Sequence, residues 1–132
     1  MLSVLFRRRA CDVQPDWYVQ AHCLRRAGYH SAAVCIMRAA IERHLTRLAL
    51  MSKDASEFRR ANRRSFDAIS CWLMNRGLLD KSSKRQFETF ADKASRAAHG
   101  KIVGRDESLS LLREASVLQR AIHQSLQAVM TA

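Results

Sequence analysis

Glycine occurs at only four positions, 28, 77, 100 and 104, and each falls between two stretches whose apolar residues recur with a helical period. A chain punctuated this sparsely has few places to turn, so the segments between must be long and internally hydrogen-bonded. The single proline, the few β-branched residues and the abundance of Ala, Leu and Arg favour helices over strands. The expected fold is all-α: a helical bundle of four long helices plus one shorter helix around a single core.

The punctuation sets the element order. Residues 1–13 show no period and read as a basic arm carrying Arg7, Arg8 and Arg9, and residues 14–132 read as one domain. A first helix begins near Pro15 and runs through Trp17, Val19, Ala21, Cys23 and Leu24 to Gly28. The next, from about Ser31 to Met51, has the strongest pattern: Val34, Met37, Ile41, Leu45 and Leu48 recur at spacings of 3, 4, 4 and 3. Ala32, Ala33, Ala39 and Ala40 beside them would let another helix come close. Residues 52–64 are polar and basic, either a loop or a short exposed helix. Ser65 caps a helix with Phe66, Ile69, Trp72 and Leu73 inward, ending before Gly77. Asp80, Ser82 or Ser83 caps another, with Phe87, Phe90, Ala91, Ala94 and Ala98 inward, which ends at His99-Gly100. Residues 100–107 read as a surface loop, and Asp106 or Ser108 opens the last helix. There Leu111, Ala115, Leu118, Ile122, Leu126 and Val129 repeat at 4, 3, 4, 4 and 3.

With 48% hydrophobic residues the chain can bury a real core. No apolar run approaches the roughly 18–20 residues of a membrane span, so no membrane partner is expected. The opening MLSVLFRRR is too short for a secretory signal and carries its charge on the wrong side. Cys11, Cys23, Cys35 and Cys71 form no C-x-x-C pair. The last three fall in apolar helical stretches, where free cysteine behaves as a small hydrophobe. Their expected role is core filler, in a reducing cytoplasm.

Charge points to the partner class. The net charge is +11, and 18 of the 23 basic residues are Arg, whose planar fork matches phosphate. RNA or another nucleotide polyanion is the partner this implies. Arg59, Arg60, Arg63 and Arg64 cluster so that, if helical, Arg59 sits below Arg63 and Arg60 below Arg64. With only Phe58 and Phe66 nearby, that cluster suits backbone phosphates better than base edges. Lys101 adds a further cation beside the last turn.

Triads, phosphate-binding loops, dinucleotide fingerprints and H-E-x-x-H are absent from the sequence, and neither a cofactor nor a metal is expected. Five histidines remain, and His99 stands out by its neighbours. Asp92, Ser95, Arg96 and His99 share one helix face, with His99 at the end where the dipole favours a cation. Arg96 would hold a phosphate oxygen while His99 moves a proton, as metal-independent RNA cleavage by the 2′-OH requires. An ordinary solvated face with a helix stop has the same spacing. Arg38 and Glu42, four apart on the strongest helix, form either a structural ion pair or one side of a cleft.

Two stretches resemble the HEPN superfamily of small helical-bundle domains, and within it an uncharacterised bacterial branch found alone or fused to restriction and defence proteins. One is residues 28–45, GYHSAAVCIMRAAIERHL, where the branch has a small-residue helix with an Arg-x-x-x-Glu element matched by Arg38 and Glu42. The other is residues 90–100, FADKASRAAHG, where the family has a helix ending in His-Gly. The order of elements agrees from about residue 15 to 130, with NRGLL at 75–79 between them. In active members the resemblance implies an Arg followed after four to six residues by a His, with two subunits joining these motifs in one cleft. His99 fills the His position, Lys93 is the only cation in the permitted slots, Arg96 lies closer than the pattern, and Ser95 replaces an Asn often found there.

The expectation is therefore an HEPN-like homodimer that binds RNA or a similar polyanion, with His99, Arg96, Lys93 and Ser95 as the catalytic set of a metal-independent endoribonuclease in a defence or toxin context. The alternative is a non-enzymatic protein-interaction or dimerisation module, with the Arg excess owed to base composition and solubility.

Overall fold

A computed structural model describes residues 16–62, 65–99 and 102–131. The predicted arm, Arg63, Arg64, Lys101 and the Ala98 side chain lie outside the described residues. Every regular element among those described is a helix: α1 Asp16–Arg26, α2 His30–Met51, α3 Ala55–Ala61, α4 Phe66–Asn75, α5 Lys81–Ala98 and α6 Arg105–Thr131. No described helix is long and apolar enough to cross a membrane.

α2 is the axis. It packs against all five other helices. It can do so because its buried residues, Ala33, Val34, Met37, Ala40, Ile41, Leu45, Leu48 and Ala49, cover much more than one stripe. The predicted spine of Val34, Met37, Ile41, Leu45 and Leu48 is fully buried. Ala33, Ala40 and Ala49 are the thin places where neighbouring backbones approach.

Two corners are built alike. At Gly28 (φ 91°) the glycine N–H donates to Arg25 O (2.9 Å) and the Tyr29 N–H to Leu24 O (2.8 Å). At Gly77 (φ 74°) the same pair of bonds runs to Met74 O (3.0 Å) and, from Leu78, to Leu73 O (2.9 Å). Each is a Schellman stop, which needs a residue without a Cβ penalty in the left-handed region. Ser65 and Asp80 cap α4 and α5 as predicted, their side chains accepting from the N–H groups of Ala68 (3.1 Å) and Ser83 (2.6 Å).

The structure bears on four sequence expectations. Residues 52–64, open between a loop and a short exposed helix, contain the helix, α3, so the described residues hold six helices, not five, and only α2, α5 and α6 exceed 11 residues. One buried side chain, Phe58, holds α3, its ring 5.0 Å from Trp72 in an edge-on contact, and a single anchor leaves almost no periodic signal. Next, α3 ends at Ala61 with Asn62 (φ 52°) as its left-handed cap, a conformation asparagine tolerates, and the predicted stacking of Arg59 and Arg60 on Arg63 and Arg64 lies outside the described residues. Third, Cys23 and Cys35 are exposed and Cys71 half-buried, so they are not core filler. α1 buries Trp17, Ala21 and Arg25 at four-residue spacing, which turns Cys23 and Val19 outward. Fourth, α6 opens at Arg105, one residue before Asp106, and Ser108 is buried inside its first turns.

Because α2 serves every neighbour, a cavity in its middle should be costly. Leu45→Ala is expected to destabilise the fold by about 2–5 kcal/mol, measured by urea denaturation.

Candidate nucleic-acid interface

α5 presents the predicted catalytic set because its apolar face is strict. Phe87, Phe90, Ala91, Ala94 and Ala97 are buried, which leaves Asp92, Lys93, Arg96 and His99 exposed and Ser95 half-buried. His99 caps the C-terminus, its N–H donating to Ser95 O (3.1 Å). Arg96 lies one turn before it, also in solvent. Lys93 is drawn elsewhere: its Nζ is 3.1 Å from Glu114 Oε1 on α6. Glu114 Oε2 is buried without a hydrogen bond among the described residues. Of the four residues, Arg96 and His99 are exposed with no side-chain hydrogen bond or ion pair among the described residues, while Lys93 is tied to a carboxylate.

Arg59 and Arg60 are exposed in the last turn of α3. Arg38 and Glu42 are joined at 3.6 Å and both about one-third exposed. The Arg38 guanidinium carbon lies 6.0 Å from the centre of the Phe66 ring, and its buried Nε has no hydrogen bond among the described residues. Held by Glu42 on its own helix and Phe66 on α4, Arg38 ties two elements together.

Five of the twelve acids are held in ion pairs among the described residues. Arg38–Glu42, Arg76 with Asp54 and Glu57, Lys84–Glu88 and Lys93–Glu114 are the ion pairs among the described residues. Arg43, Arg47, Arg59, Arg60 and Arg96 are exposed and take part in none of them. His44 senses this excess. Burial first, then the guanidinium charges of Arg47 and Arg43, hold its imidazole below the usual histidine value. The folded chain therefore binds that proton less readily than the unfolded chain. Stability is lost as pH falls through the unfolded-state value, and the loss is complete below the folded-state value.

Sequence reasoning missed a second polar cluster. Arg25 is 8% exposed, and its Nε donates to Ser108 Oγ (2.9 Å) while a terminal nitrogen approaches His22 Nδ1 (3.5 Å). Ser108 Oγ also donates to Arg105 O (3.0 Å) and lies 2.9 Å from His30 Nδ1. One hydroxyl hydrogen cannot serve both, so with the carbonyl as acceptor His30 is the donor to the hydroxyl. Ser108 is wholly buried, which closes it to substrate, and the cluster clasps α1, α2 and α6. Its signal was present: Arg25 continues the Trp17, Ala21 stripe, and Ser108 precedes Leu111 and Ala115 at helical spacing.

A groove of about 770 Å³ between α5 and α6 is lined by residues including Arg85, Asp106, Arg113, Glu114 and Leu118, of mixed charge, and neither Arg96 nor His99 reaches it. Among the described residues no three His, Cys, Asp or Glu side chains gather as metal ligands would. Comparison with protein-family models, curated proteins and solved structures found no match.

Removing the shared hydroxyl strands two donors, the buried Arg25 and the half-buried His30. Ser108→Ala should lower stability by about 1–3 kcal/mol, read by denaturation with helix content unchanged by circular dichroism.

Proposed function

We propose that this chain is an RNA-binding helical module of HEPN type, acting as a homodimer, with Arg96 and His99 at the α5 tip handling a phosphodiester. The observation that carries the reading is the set of exposed arginines that form no ion pair among the described residues, on a chain of net charge +11. Such cations displace counterions from a phosphate backbone, the dominant source of affinity for nucleic acid.

In the cleavage this site would support, the ribose 2′-OH attacks the adjacent phosphorus and the 5′-oxygen leaves, giving a cyclic phosphate and a free hydroxyl. His99 would transfer a proton at an attacking or leaving oxygen, and Arg96 would steady the charge on the non-bridging oxygens. A second imidazole would come from the other subunit. The engagement of Lys93 by Glu114 favours the alternative for catalysis alone: a binder whose α5 tip holds RNA without cutting it.

RNA affinity should fall steeply between low and physiological salt, measured by fluorescence anisotropy; no binding at low salt refutes the proposal. For catalysis, the comparison is wild type against His99→Ala on RNA in chelator. Loss of cleavage in the variant assigns the activity to His99. Equal cleavage by both assigns it to a contaminant, and no cleavage by either leaves a non-catalytic binder.

A further inference from the structure

We propose that the outward strip of α2, centred on Arg43 and Arg47, is a second contact for the backbone of single-stranded RNA, separate from the α5 tip; this rests on the RNA-binding reading above. Since α2 packs against every other helix, little of it reaches solvent. Beyond Ser31 and Ala32 in its first turn, what does is a line of residues four apart, Cys35, Ala39, Arg43 and Arg47, continued by Leu50 and Met51 at 36% and 45% exposure.

The order along this strip matters. Cys35 and Ala39 are small and let a polymer lie close to the helix. Arg43 and Arg47 are separated by a rise of about 6 Å, comparable to the spacing of successive phosphates along a strand. Leu50 and Met51 then offer apolar surface where an unstacked base can rest, which an unpaired strand supplies and a duplex does not. No carboxylate on α2 competes, because its only acid, Glu42, is bound to Arg38. Arg43 and Arg47 form no ion pair among the described residues, and their guanidinium forks match phosphate oxygens in pairs. The field is strong enough to be felt by the half-buried His44 between them, whose imidazole is disfavoured as a cation by burial and by both arginines. A phosphate seated on the pair would offset that field.

The experiment uses the full chain and a short oligouridylate. Arg43→Gln/Arg47→Gln should bind about tenfold more weakly at low salt, and its plot of log affinity against log salt should be shallower by about 1 to 1.5. Arg43→Lys/Arg47→Lys should keep the wild-type slope. In the wild type, whose folding is not at issue, oligouridylate should move the NMR titration of His44 to higher pH. Unchanged affinity and slope in the Gln variant, with His44 unmoved, would overturn this contact and leave RNA binding elsewhere on the chain intact. Absence of wild-type binding would overturn the RNA reading itself. Displacement from the strip by polyglutamate as readily as by oligouridylate would assign it to an acidic protein and overturn the RNA assignment.

Discussion

The burial of α2 on nearly all sides is the constraint from which the rest follows. A helix that must touch five neighbours cannot keep the usual half-polar circumference, so it spends alanine where partners come nearest and branched or long apolar residues where gaps must be filled. Its neighbours then inherit their faces. α5 and α6 need only one apolar stripe each, which frees their other sides for charge, and α1 needs so little that it can bury an arginine at its end.

Much of this was readable from residue order. The stripes of α2, α4, α5 and α6 were found because each repeats its apolar positions over several turns, and the glycines at 28 and 77 marked true stops. α3 stayed one of two open readings, loop or short helix, because Phe58 is its one buried side chain. Arg25 and Ser108 escaped because a hydropathy pattern counts an inward polar residue as a gap in the stripe, although each stands in register with it. The cysteines misled for the opposite reason: their chemistry suits a core, but the helical angle from Trp17 and Ala21 points Cys23 away from it. At the α5 tip, the exposure of Arg96 and His99 follows from the same angular rule. The capture of Lys93 by Glu114 could not be read, since it depends on how α6 returns beside α5.

The electrostatics divide in a similar way. Lys84 and Arg38 each meet an acid four residues on, and Arg76 meets Asp54 and Glu57, while Arg96 forms no ion pair among the described residues although Asp92 is four residues away. Where the surface of the central helix turns outward, no acid among the described residues pairs with Arg43 and Arg47, and their charges add to burial in disfavouring the His44 cation. The uneven placement of 12 acids, more than the sum of charges, shapes where a polyanion would settle.

The topology also bears on how the chain acquires its fold during synthesis. The corners at Gly28 and Gly77 are closed by bonds spanning no more than six residues, so they can form as soon as each leaves the ribosome. α2 meets α6, its most extensive partner, only after some fifty further residues have been translated. Until then one flank of its apolar circumference has no cover, so the nascent chain passes through a stage in which the helix that organises the bundle is also its greatest aggregation hazard.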